Sequence, residues 1–128
     1  MSTKTVSDRE DPVIETRDQL IAAIAKGEKP KDRWRIGTEH EKFVYNRTDH
    51  HAPSYDEPGG IRDLLMAMTE FGWEPVYENG KVIAMTGTDG AVSLEPAGQL
   101  ELSGAPLENL HQTCAETGRH LKQVKAIG

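Results

Sequence analysis

The run from Ser93 to Ser103 constrains the fold more than any other part of the sequence. When it is read with the two-residue period of a β-strand, Glu95, Gln99 and Glu101 fall on one face. Its leucines share the opposite face: Leu94, Leu100 and Leu102. A strand of this kind buries its apolar face under helices and leaves its polar face to solvent or a ligand. The run therefore predicts an antiparallel sheet that is covered on one side only.

We expect one long strand over residues 91–103, interrupted at Pro96-Ala97-Gly98. Proline has no amide hydrogen for a sheet ladder and glycine weakens a strand, so a β-bulge or a bend is predicted there. Bulges often re-aim side chains at functional sites. The alternative is a sheet edge with solvated charges, and the pattern leaves both open.

A second acidic strand is predicted over residues 34–45, where Glu39 and Glu41 share a face. Carboxylates two residues apart on a strand stand roughly 7 Å apart along it. Two acidic strands that face the same way need water or cations in front of them, and Mg²⁺ takes oxygen ligands of this kind. A solvated strand face is the alternative, because most Asp and Glu side chains are simply exposed. His40 and Lys42 are expected to be partly buried on the opposite face.

The rest of the chain up to residue 90 divides into two helices, a loop and a hairpin: helix 16–26, loop 46–57, helix 58–71, and strands 73–78 and 81–86. Thr16 and Gln19 have the spacing of a capping box, in which each side chain bonds the backbone of the other residue. Asn79-Gly80 is a strong signal for a two-residue hairpin turn.

The final predicted helix begins at Pro106, because proline is favoured at the first helical position. An apolar stripe follows at helical spacing: Leu107, Leu110, Cys114, Leu121 and Val124. This stripe predicts that Cys114 is a buried thiol. The fold class is therefore α+β, with a largely antiparallel sheet and helices on one face. Residues 1–128 are expected to form a single domain, with 1–12 as a flexible lead-in.

Composition excludes several classes of function. The net charge is −6 and the basic residues are scattered, which argues against nucleic acid as a partner. No apolar run has the length of a membrane span, and the residues after Met1 lack the apolar core of a signal peptide. Cys114 is the only cysteine, so no internal disulfide forms. These features predict a reducing, cytoplasmic location, and they do not indicate an oligomeric state.

Four segments together resemble the glutamate–cysteine ligases of plants and many proteobacteria: Gly37-Thr38-Glu39-His40-Glu41-Lys42-Phe43, Phe71-Gly72-Trp73-Glu74-Pro75, the run from Ser93 to Pro106, and its continuation over Leu107 to Glu116 with His120-Leu121 and Gln123-Val124-Lys125-Ala126. The resemblance covers about residues 34–128. It implies that glutamate is joined through its γ-carboxylate to cysteine, with ATP as co-substrate and γ-glutamyl phosphate as intermediate. The product, γ-glutamylcysteine, begins glutathione synthesis. The implied fold is part of a half barrel similar to that of glutamine synthetase.

The resemblance also implies roles for individual residues. The positions that match its acidic motifs are implied Mg²⁺ ligands or their close neighbours: Glu39, Glu41, Glu95 and Glu101. Gln99 matches a position that lines the substrate or ATP site, and no catalytic residue is assigned. Ala97 stands where the family usually has glycine. Family members are also considerably longer, so the resemblance implies an N-terminal part of one catalytic domain, inactive by itself.

Two other functions remain open at this point. A related γ-glutamyl ligase with a different amine acceptor would share the same acidic motifs. A non-catalytic module that binds Mg²⁺ through a carboxylate-lined sheet would account for the short length.

Overall fold

The computed structural model describes residues 13–88 and 90–128, so the prediction for residues 1–12 lies outside the described residues. The chain divides into two compact units at Trp34. In the described part of the first unit, helix α1 (Arg17–Ala25) is followed by a 3₁₀ turn at Lys31–Arg33.

The start of α1 is fixed by hydrogen bonds within one turn of chain. The Gln19 amide donates to Thr16 Oγ1 at 3.2 Å, and the Thr16 amide donates to Gln19 Oε1 at 3.1 Å. These two bonds satisfy backbone groups that a helix terminus otherwise leaves unpaired. The predicted capping box is confirmed.

The second unit is built on a five-stranded antiparallel sheet with the spatial order β1-β5-β4-β3-β2. In chain order the strands are β1 (Glu39–Lys42), β2 (Glu74–Glu78), β3 (Lys81–Gly87), β4 (Gly90–Glu95) and β5 (Gln99–Ser103). The sheet is open, with β1 and β2 at its edges. The α+β class with an antiparallel sheet is confirmed, and the half barrel stays a prediction.

Two helices of this unit cover one face of the sheet. Helix α2 (Ile61–Ala67) continues into a 3₁₀ turn, which ends at Gly72 with φ 84°. Helix α3 (Leu110–Ile127) contributes Val124 and Ile127, which pack against the core. The buried core joins α2 and its 3₁₀ turn to the sheet: Ile61, Leu65, Met68, Val82, Met85, Val92, Leu100 and Leu102. The prediction of helices on one face is confirmed for this unit.

The long strand predicted over residues 91–103 is wrong, because the chain reverses in its middle. Ala97 (φ 65°) and Gly98 (φ 71°) are consecutive left-handed residues, and with Pro96 they form a tight turn. Strands β4 and β5 therefore pair with each other, and Glu95 lies opposite Gln99. The expected bend is a complete hairpin turn.

Two other predicted boundaries are also wrong. Only residues 39–42 of the strand predicted over 34–45 form β1, although Ile36 makes an isolated bridge with Leu107. That bridge holds the chain extended after Pro106, so α3 begins later, where Asn109 and Gln112 form a capping box. No helix within the described residues is long and apolar enough to cross a membrane.

The orientation of α3 differs from the predicted apolar stripe. Cys114 is exposed, so the expectation of a buried thiol is wrong. Leu110 is also 67% exposed, whereas Glu116 and His120 are buried. The buried side of α3 therefore carries polar residues.

Candidate functional site

Cross-strand pairing brings the predicted acidic residues onto one face of the sheet. Glu41 in β1 lies opposite Glu101 in β5, and Ser93 in β4 lies opposite Glu101 on its other side. Directly opposed residues of an antiparallel pair share a face, with Cβ atoms about 5 Å apart. Glu39 occupies the same face two residues from Glu41. The adjacent residues in β5 are Leu100 and Leu102, and both are core residues on the helix-covered side.

The face extends to the turn between β4 and β5, where Glu95 pairs with Gln99. We call the set Glu39, Glu41, Glu95, Gln99 and Glu101 the acidic face. Its two ends, at Glu39 and Glu95, are two strand spacings apart and displaced by four residues along the strands. The span is therefore roughly 17 Å. All five residues that the sequence predicted for the site are thus on one side of three neighbouring strands.

Glu101 differs from its neighbours because it is only 3% exposed. Its Oε1 accepts a hydrogen bond of 2.6 Å from the Ser103 hydroxyl. No ion pair with a Lys, Arg or His side chain of the described residues reaches it. Buried charges are normally paired or bound to metal ions, so Glu101 is the carboxylate of this face that most needs a cation. Glu39 and Glu41 are exposed, as a solvated strand face would have them.

The acidic face fits a nucleotide-bound Mg²⁺ better than an enclosed metal ion. Among the described residues, no group of three His, Cys, Asp or Glu side chains could hold a metal ion. Mg²⁺ commonly keeps several waters and is bound through one or two carboxylates together with substrate phosphates. The facing pair of Glu41 and Glu101 offers carboxylate oxygens of this kind. Their assignment as metal ligands stays a prediction.

The opposite face carries a second group of polar side chains, close to α3. Lys42 Nζ donates to the His40 carbonyl at 2.8 Å, and burial lowers the pKa of Lys42 to about 8. His120 is 2% exposed. Burial lowers the pKa of His120 to about 4, and electrostatic interactions with Lys42 and His40 add to this effect. The predicted partial burial of His40 and Lys42 is confirmed.

Sequence reasoning missed Glu116 and His120, which lie four residues apart on the buried side of α3. Their four-residue spacing in the sequence was the available signal, because residues four apart lie on one face of a helix. The search for an apolar stripe passed over them because neither residue is apolar.

Comparisons with known proteins support the predicted resemblance. Residues 35–128 match the family model described as glutamate-cysteine ligase family 2. The chain is 50% identical over 114 residues to glutamate–cysteine ligase A, chloroplastic, of Oryza sativa subsp. japonica, with 88% of the chain and 23% of the relative covered. It is 52% identical over 113 residues to the chloroplastic glutamate–cysteine ligase of Arabidopsis thaliana, with 88% and 21% covered. For the enzyme of Medicago truncatula the identity is 47% over 123 residues, with 92% and 24% covered.

The chain spans between 21% and 24% of the length of these relatives, so the match covers only a small part of each. The same comparison corrects the predicted cytoplasmic location. Each of these relatives is named as chloroplastic. A lone cysteine bears on redox state only, so it could not distinguish these compartments.

Proposed function

The chain belongs to the glutamate-cysteine ligase family 2, and on that premise we propose that it supplies the acidic part of an ATP-dependent ligase site. The reaction joins the γ-carboxylate of glutamate to the amino group of cysteine and begins glutathione synthesis. One observation carries the assignment of the site. Three neighbouring strands present carboxylates on one face, and the most buried of these, Glu101, has a hydroxyl partner and no cationic partner among the described residues.

In this proposal the acidic face binds the triphosphate end of ATP through Mg²⁺. When bound, Mg²⁺ neutralises phosphate charge and favours phosphoryl transfer from ATP to the γ-carboxylate of glutamate. Glu41 and Glu101 would hold the ion from neighbouring strands. Gln99 lies beside Glu95 at the turn, where its amide can donate to a phosphate or a carboxylate.

The second half of the reaction needs groups that the acidic face does not offer. The cysteine amine attacks the acyl carbon of γ-glutamyl phosphate, the new C–N bond forms and inorganic phosphate leaves. Carboxylates repel the carboxylate groups of glutamate and cysteine. Basic side chains from other parts of a longer protein would therefore bind these anionic groups. We therefore propose that the 128-residue chain alone does not turn over.

An amine acceptor other than cysteine is the nearest alternative. Phosphorylation of the glutamate γ-carboxylate is common to both reactions, so both would use the acidic face in the same way. An assay that offers cysteine and other amines as acceptors distinguishes the two ligase functions. Formation of any ATP-dependent product distinguishes both of them from a module that only binds Mg²⁺.

The test uses the complete reading frame that contains this chain. We expect purified protein to form γ-glutamylcysteine from glutamate, cysteine and ATP, as measured by mass spectrometry. Glu101→Gln retains an oxygen that can accept from Ser103 but removes the charge, and we expect it to lower turnover at least about 100-fold. Glu108→Gln is the matched control, because Glu108 is exposed and lies outside the acidic face. Near-normal turnover of a correctly folded Glu101→Gln variant would contradict the proposed role of the acidic face.

A further inference from the structure

Two pairing registers meet where the segments beside β1 and β5 continue beyond their ladder. The Gly104 amide donates to the Thr38 carbonyl at 2.8 Å, in the register of the ladder itself. Further along, Ile36 and Leu107 exchange two backbone hydrogen bonds, of 2.7 and 2.8 Å. Between these two pairs lies one residue of the first segment and two residues of the second. This unequal count defines a β-bulge in the segment that follows β5.

The bulge leaves one backbone donor without a place in the ladder. Gly37 faces both Ala105 and Pro106, and Pro106 has no amide hydrogen. The Ala105 amide donates instead to Glu116 Oε1 of α3, at 2.8 Å. Ala105 is only 8% exposed, so this amide needs an acceptor within the protein. A side chain of α3 therefore satisfies the donor that the bulge removes from the sheet.

Glu116 also packs against the residue next to the bulge. Its Oε2 lies against the backbone of Gly104, where a Cβ would collide with the carboxylate and come within 3.1 Å of the Thr38 carbonyl oxygen. Glycine at position 104 thus permits the close approach of the carboxylate. The two oxygens of Glu116 contact the two consecutive residues at which the register changes.

The register of β1 decides which way its carboxylates point. A slip of one residue moves every side chain of a strand to the other face of the sheet. In the register of the bridge between Ile36 and Leu107, Lys42 instead of Glu41 would lie opposite Glu101. Both carboxylates of β1 would then turn toward the helix-covered core. The bulge prevents this, because it changes the register by one residue between the bridge and the ladder.

We propose that Glu116 is a positioning residue for the acidic face. By holding the bulge at Ala105, it fixes the register in which Glu41 lies opposite Glu101. It acts through the backbone between β5 and α3, from the helix-covered side of the sheet. The catalytic consequence rests on the proposed function, whereas the register can be measured without any reaction.

Disulfide trapping measures the register in the 128-residue chain. Glu41→Cys and Glu101→Cys, combined with Cys114→Ala, leave two thiols at directly opposed positions. Opposed Cα atoms of an antiparallel pair are about 4.5–5.5 Å apart, which a disulfide can span. After a slip of one residue the two Cβ atoms would point to opposite faces, and the bond could not form.

We expect rapid cross-linking of this two-cysteine chain on mild oxidation, followed by mass spectrometry. Adding Glu116→Ala should slow it by about tenfold or more, because β1 then leaves the trapped register. Adding Glu116→Gln, which keeps an acceptor for the Ala105 amide, should restore the rate. His120→Gln is the matched control, because His120 is equally buried on α3 and makes no hydrogen bond to the bulge.

Equal cross-linking rates with and without Glu116→Ala would overturn the proposal. The same loss of rate in His120→Gln would also overturn it, since general destabilisation would then explain the effect. If circular dichroism shows that Glu116→Ala does not fold, Gly104→Ala decides by the same outcomes, because its methyl group displaces the carboxylate.

Kinetics of the complete reading frame connect the register to the proposed reaction. Glu116→Ala should raise the Mg²⁺ concentration for half-maximal rate by about tenfold or more and change the KM for glutamate less than about twofold. Glu116→Gln should restore the Mg²⁺ dependence. A merely structural role would lower the amount of active enzyme and leave that dependence unchanged, which would contradict positioning. Near-normal turnover of Glu101→Gln contradicts the proposed function instead, and the trapping result stands apart from it.

Discussion

Glu41 and Glu101 lie directly opposite each other on neighbouring antiparallel strands. One carboxylate is exposed and the other is 3% exposed, so water screens the repulsion between them from one side only. Like charges in directly opposed positions destabilise a sheet pair. A cation between the two side chains would attract both carboxylates. The effect of a divalent ion on the stability of this pair therefore tests whether the acidic face binds metal.

Glu41→Gln is expected to raise the free energy of unfolding by about 0.2–1 kcal/mol in the absence of divalent ions, because it removes the opposed charge. Saturating MgCl₂ should stabilise the parent more than the variant, since a ligand stabilises only the state that binds it. Urea unfolding with MgCl₂ or KCl at equal ionic strength measures both effects. Glu70→Gln, at an exposed position outside the sheet, is the control. Equal stabilisation of parent and Glu41→Gln by MgCl₂ would contradict a metal role for this pair.

Leu100→Ala is expected to destabilise the second unit by about 2–5 kcal/mol, because Leu100 is completely buried in the core beneath the helices. Leu110→Ala removes the same atoms from a side chain that is 67% exposed, and we expect little change. The urea midpoint of each variant checks the difference. Similar midpoints for the two variants would mean that the covered and open faces of β5 have been assigned wrongly.

Ala97→Gly is expected to stabilise the chain by about 1 kcal/mol. Ala97 has φ 65°, a conformation that costs an alanine about 1–2 kcal/mol and a glycine much less. Ala115→Gly, at an exposed position inside α3, should have the opposite sign and destabilise by about 1 kcal/mol. Denaturant titration of both variants is the measurement. Loss of stability in Ala97→Gly would show that the turn is not under this strain.

Stability is expected to fall as the pH is lowered from about 6.5 to 4, because of His120. Its folded-state pKa is about 4, so in this window the unfolded chain takes up a proton that the folded chain excludes. The loss amounts to about 3 kcal/mol once the pH is below 4. His120→Gln should remove this part of the pH dependence, and His111→Gln, at an exposed position, should retain it.

His51 acts with the opposite sign, so the comparison must be made between variants. Hydrogen bonds to Glu57 and Asp49 raise the pKa of His51, and its contribution is present at low pH and lost as the pH rises through the folded value. NMR titration of the imidazole signals separates the two histidines. A His120 signal that titrates at or above pH 6.5 would contradict the burial argument.

Several features could be predicted from sequence because their causes are local. Thr16 and Gln19 form the expected capping box. Asn79 and Gly80 both have positive φ, as a two-residue hairpin turn requires. The shared face of Glu95, Gln99 and Glu101 was also predicted, although the strand was not. The turn between β4 and β5 contains three residues, so Glu95 pairs with Gln99 and odd positions stay opposite odd positions.

Other features depend on contacts that a local pattern does not contain. The turn between β4 and β5 could not be predicted at Ala97, because alanine rarely adopts a positive φ. Pro106 fits the start of a helix, but the bridge between Ile36 and Leu107 holds that segment extended. The orientation of α3 follows from buried Glu116 and His120, which a search for apolar periodicity ignores.

The two edges of the sheet differ in what they can accept. Strand β2 carries Pro75, which has no amide hydrogen, and its register shifts between Val76 and Tyr77. Both features blunt an edge against further pairing. Extension of the sheet is therefore easier beside β1, and a newcomer there would border Glu39 and Glu41. The side on which additional chain can dock is thus also the side on which positive charge is most needed.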